Sequence, residues 1–91
     1  MDSKDIDALF RELRAGRTLE VPFSTKMWPD TEALKNVLRL NEAGLFELKT
    51  TLREFWAGHW WSLEQTELET RTEAELRTTL TYTERSSVKV L

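Results

Sequence analysis

"LFELKTTLREFWAGHWW", from Leu45 to Trp61, decides how this chain is read. As a strand, it places Phe46, Leu48, Thr50, Leu52 and Trp56 on one side. As a helix, it makes a stripe of Leu45, Leu48, Leu52 and Phe55. The preceding Gly44 and the threonines at 50 and 51 favour the strand, because β-branched residues fit a pleated surface. Gly58 then interrupts the apolar run and predicts a hairpin tip. A three-residue loop, Ala57–Gly58–His59, sets Trp56 against Trp60 and Phe55 against Trp61. Trp56 and Trp60 then share one side, and Phe55 and Trp61 the other. Other loop lengths change the partners but still send aromatics to both faces.

Upstream, Asp2 or Ser3 caps a helix predicted over residues 3–15. Ile6, Leu9, Phe10 and Leu13 line one face of it, acids lie early, basic residues lie late, and Gly16 ends it. "RTLEVPF" alternates Leu19, Val21 and Phe23 as a short strand. Pro22 makes it an edge strand or a strand end. "STKMWPD" reads as a loop or one helical turn, with Trp28 as a core plug. Asp30 then caps a second predicted helix, "TEALKNVLRLNEAG", ending at Ala43, with Ala33, Leu34, Val37, Leu38 and Leu40 or Asn41 on its apolar face. Gly44 supplies a left-handed stop that pairs Leu40 with Leu45 in a Schellman motif.

Downstream, every even position from Leu68 to Tyr82 is Leu, Thr, Ala or Tyr, which predicts strand. The rival is a helix begun by the capping box "SLEQ" at Ser62–Gln65. The segment Glu67–Thr83, seventeen residues, exceeds a usual strand, so a turn is expected near Thr72–Glu75. A bulge near Glu64–Glu67 would bring Trp61, Leu63 and Leu68 to one face. "ERSS" is another turn and "VKVL" a last short strand. The fold class is therefore α+β. Two N-terminal helices pack on an antiparallel meander of three to five strands, in the order α-β-α-β-β-β-β. A winged-helix-like arrangement is the alternative.

The 91 residues make one domain, 1–91, with 40% hydrophobic and 32% charged residues, which fits a folded chain. A net charge of −3, from 13 basic and 16 acidic residues, disfavours a strong nucleic-acid binder. Absent cysteine excludes disulfides, thiol nucleophiles and thiolate metal sites. The acidic, amphipathic start does not read as a signal peptide, and no apolar run spans a membrane, so a cytoplasmic location is expected.

No motif fixes a reaction. The single histidine, His59, has no third group to orient it toward Ser62, no calcium-loop spacing occurs, and no glycine-rich loop cradles phosphate. Neither an enzyme nor a metal or cofactor is expected. The expected function is a protein–protein interaction module: a regulator, inhibitor or assembly subunit that binds another protein or itself. Phe55, Trp56, Trp60 and Trp61 form its anchor, tuned by Arg53 and His59. A stripe of Glu67, Glu69, Glu73 and Glu75 is a candidate site for a basic partner, against a solvated outer face. The first alternative is a winged-helix-like nucleic-acid binder using Lys35, Asn36, Arg39, Lys49 and Arg53. The second is a small-ligand domain with a tryptophan-lined pocket.

Overall fold

The computed structural model describes residues 1–24 and 31–91, with side chains apart from Leu34 and residues 62–67. The Trp28 plug and the Asp30 cap lie outside the described residues.

Helix α1 spans Ser3–Arg14 and starts where its cap predicts. Asp2 accepts a hydrogen bond from the Asp5 amide at 2.9 Å. Ile6, Leu9, Phe10 and Leu13 are buried, as their spacing requires. Its end is a Schellman motif. Gly16 takes φ +87°, the Arg17 amide donates to the Glu12 carbonyl, and the Gly16 amide donates to Leu13.

Four strands come next: β1 (Leu19–Glu20), β2 (Thr31–Leu40), β3 (Phe46–Trp56) and β4 (His59–Arg71). Then come helix α2 (Glu73–Thr81), a turn of 3₁₀ helix (Arg85–Ser87) and strand β5 (Lys89–Val90). The five strands form one antiparallel sheet in the order β4-β3-β2-β1-β5. β1 is interior, flanked by β2 and β5, and its pairing ends just before Pro22. The α+β class and the antiparallel sheet hold, but the element order is α-β-β-β-β-α-β. One helix opens the chain and the other nearly closes it.

The predicted second helix is strand β2. Leu38 is fully buried opposite Leu48, while Val37 and Arg39 face the other way. Gly44, read as a helix stop, instead has φ +79° in a three-residue hairpin loop between β2 and β3. The Asn41 carboxamide oxygen accepts from the Ala43 and Leu45 amides, both at 3.0 Å, and fixes that loop. A left-handed glycine serves a helix end and this hairpin equally well, so the pairing partner decided. Without that helix the winged-helix alternative also falls.

β3 buries Phe46, Leu48, Thr50 and Leu52, the alternation expected of it. β4 is strand through Arg71, as the alternation expects, and the rival helix from the capping box at Ser62 does not form. It stops just before Thr72, close to the expected turn. The next element is helix α2, in place of the expected strand. Thr72 is the N-cap: its hydroxyl oxygen accepts from the Glu75 amide at 3.2 Å, and the hydroxyl donates to the Glu75 carboxylate at 3.0 Å. Leu76 and Leu80, four apart, are both fully buried.

Both helices pack on one face of the sheet. Their buried residues join Leu19, Val21, Leu38, Phe46, Leu48 and Val88 in a single core. Phe10 meets Phe46 edge to face at 5.2 Å. The molecule is elongated, 46 × 28 × 21 Å, because β3 and β4 run on past the helices as a hairpin arm.

Candidate interaction surface at the aromatic hairpin

The arm turns through two residues. Ala57 and Gly58 both have positive φ, +52° and +77°, the backbone of a type I′ turn that matches the strand twist. The predicted three-residue loop is one residue too long. The true register pairs Trp56 with His59, Phe55 with Trp60 and Glu54 with Trp61. Directly paired residues share a face. Phe55 and Trp60 therefore lie on the face opposite the helices, with ring centroids 5.2 Å apart. Trp56 and Trp61 lie on the helix-side face but beyond the helices. They stack at 4.9 Å, and the Trp61 indole donates to the Trp56 carbonyl at 3.1 Å.

All four rings remain open to solvent: Phe55 is 42% exposed, Trp56 53%, Trp60 47% and Trp61 43%. The expected spread of aromatics to both faces is present, although the partners differ by one register step from those expected.

Arg53 stands beside this cluster on the Phe55–Trp60 face. Its guanidinium lies 4.6 Å from the Trp60 ring centroid and is ion-paired to Glu32. His59 is exposed and sits edge-on to Trp61 at 6.1 Å. Among the described residues, no group of three or more His, Asp or Glu side chains is placed to hold a metal ion. Among them, no helix is long and apolar enough to cross a membrane.

The acidic stripe does not form on one strand face. Glu69 lies on β4 beside Arg71, at 3.5 Å. Glu73 opens α2 and pairs with Arg14, and Glu75 belongs to the Thr72 cap. The Glu67 side chain lies outside the described residues.

The residues proposed for nucleic acid lose their recognition helix, yet four of them converge. Lys35, Arg39, Lys49 and Arg53 all occupy the sheet face away from the helices, by register with Thr51, Glu47, Val37 and Glu32. Asn36 is on the helix side, and its buried Oδ1 has no partner among the described residues.

Leu68, expected to share a face with Trp61, instead pairs with Lys49 and is 60% exposed on the open face. The irregularity in β4 explains this. Thr51 pairs with Thr66 and Arg53 with Ser62, so β4 gains two residues there, not one. Two extra residues preserve the alternation, whereas the single-residue bulge expected would have inverted it.

Comparison with protein-family models, with curated proteins and with solved structures gives no match.

Proposed function

We propose that this chain is a non-enzymatic protein–protein interaction module whose hairpin arm seats in a partner, either another protein or a second copy. One observation carries the reading: four half-exposed aromatic rings on both faces of an arm that the helices do not reach. Scattered apolar residues on a surface need no explanation, but aromatic pairs left half-exposed on each face of one arm are a candidate partner surface. Tryptophan and arginine are also the residues most enriched at binding hot spots.

The magnitudes are consistent with an anchor rather than a whole interface. With 42–53% of each ring exposed, burying all four would remove roughly 350–400 Å² from water. At about 25 cal/mol per Å², that is on the order of 9–10 kcal/mol before costs. Association itself costs about 4–15 kcal/mol, so the charged residues flanking the arm must contribute complementarity. Arg53 is already oriented by Glu32 and by the Trp60 face. A cysteine-free chain is compatible with the cytoplasm, where we place it.

The test is sedimentation over a broad concentration range, together with partner capture. Each is run on the wild type and on Trp56→Ala and Trp61→Ala. The variants should keep their melting transition and lose self-association or the captured partner. If both unfold, the cluster is core and the reading goes.

A further inference from the structure

The sheet face opposite the helices has two apolar spots joined by a basic track. Val37 and Leu68 lie on either side of Lys49 across the three strands. With Thr18, Arg39 and Glu47 they line a shallow depression of about 470 Å³. Phe55 and Trp60 occupy the same face at the arm end. Lys49 and Phe55 are six positions apart on β3, which is about 20 Å of strand.

Charge is segregated onto this face in a chain whose net charge is −3. Arg39 and Arg53 are matched by Glu47 and Glu32. Glu20 is matched across the strands by Lys89. Lys35 and Lys49 are exposed and make no ion pair with any described residue. Among the described residues, the surplus on the open face is therefore two lysines, Lys49 between Val37 and Leu68, and Lys35 on the way from there to the Phe55–Trp60 pair.

We infer that this face docks an extended acidic segment of a partner protein, with one apolar side chain at Val37–Leu68 and a second at Phe55–Trp60. The inference rests on the protein-binding reading above and names the chemistry of the partner. A carboxylate beside the first anchor meets Lys49, and one between the two anchors meets Lys35. The apolar ends displace water from Leu68 and from the Phe55–Trp60 pair. Mixed charge around apolar anchors is the make-up of a protein interface.

The probe is a peptide of five glutamates between a leucine and a phenylalanine, titrated into the ¹⁵N-labelled chain at low salt. Its lysine counterpart and an oligothymidylate are run beside it. Saturable shifts are expected at Val37, Lys49, Leu68, Phe55 and the Trp60 indole. The charge reversal Lys35→Glu/Lys49→Glu should weaken binding at least tenfold, and high salt should do the same. Tyr82→Ala, an exposed position at the end of α2, should leave the titration unchanged; a wild-type chain that self-associates or captures a partner yet shows no peptide shifts overturns this inference alone. Equal binding of the lysine peptide, shifts away from this face, or no shifts would overturn the inference. So would tighter binding of oligothymidylate at the same residues, which would assign the face to nucleic acid.

Discussion

Trp56 and Trp61 stack with their rings 4.9 Å apart and inclined by 22°, on the helix-side face of the arm. Each ring keeps about half its surface in water, so the stack contributes little to folding for its size. Removing either ring by alanine substitution should cost about 1 kcal/mol or less in a urea melt. Leu48→Ala, in the closed core, should cost about 2–5 kcal/mol. The pair should also give an exciton couplet in the circular dichroism that either single variant abolishes. A loss near that of Leu48→Ala would mean that the arm is a structural element and not a free surface.

The turn at the arm tip stores a small strain. Ala57 has φ +52°, a left-handed conformation that costs a residue with a Cβ about 1 kcal/mol and that asparagine tolerates better. Ala57→Asn creates an asparagine–glycine pair in a type I′ turn. It should raise stability by about 0.5–1 kcal/mol without changing the register. Gly58→Ala, at φ +77°, should act in the opposite direction. Thermal melts of the three proteins check both signs.

Thr72 marks the switch from β4 to α2 and caps the helix through its hydroxyl. Thr72→Ala removes the acceptor for the Glu75 amide and should cost about 1 kcal/mol. Hydrogen exchange should speed up first at the Glu73–Leu76 amides. Thr72→Ser keeps the oxygen and should restore most of the loss. If alanine has no effect, the cap is incidental.

These elements also show where the sequence is legible. α1 can be read because cap, stripe, charge order and stop glycine all agree over twelve residues. β3 can be read because its alternation is long. β2 imitates a helix because Leu34, Val37 and Leu38 sit at helical spacing, while the true alternation uses Leu38 and Leu40 against Val37 and Arg39. Only pairing with β3 separates the two. α2 is hidden because its two buried residues, Leu76 and Leu80, share an even-numbered pattern with Leu68, which belongs to the strand before it. At the candidate site, the aromatic residues and Arg53 are visible in the sequence. Glu32 as the partner of Arg53, and Leu68 as a surface residue, are not, because both depend on register across strands.

The last prediction concerns how the two helices, far apart in sequence, hold together. Arg77 on α2 donates to Asp7 of α1 at 2.8 Å, and its guanidinium lies 4.7 Å from the centroid of the fully buried Phe10 ring. Asp7 and Arg77 are 53% and 38% exposed, so the ion pair is screened and should contribute only about 0.2–1 kcal/mol. The stacked guanidinium also covers the Phe10 ring, and that contact does not depend on the carboxylate. Asp7→Asn should therefore cost little, and less still at high salt. Arg77→Ala should cost about 1 kcal/mol more than Asp7→Asn and keep most of that loss in high salt. Arg77→Lys should retain the charge but lose the planar contact, and so should fall near the alanine variant. A double-mutant cycle between positions 7 and 77, measured in low and high salt, separates the two contributions. A lysine variant as stable as wild type would show that charge alone, not the stacked plane, joins the helices.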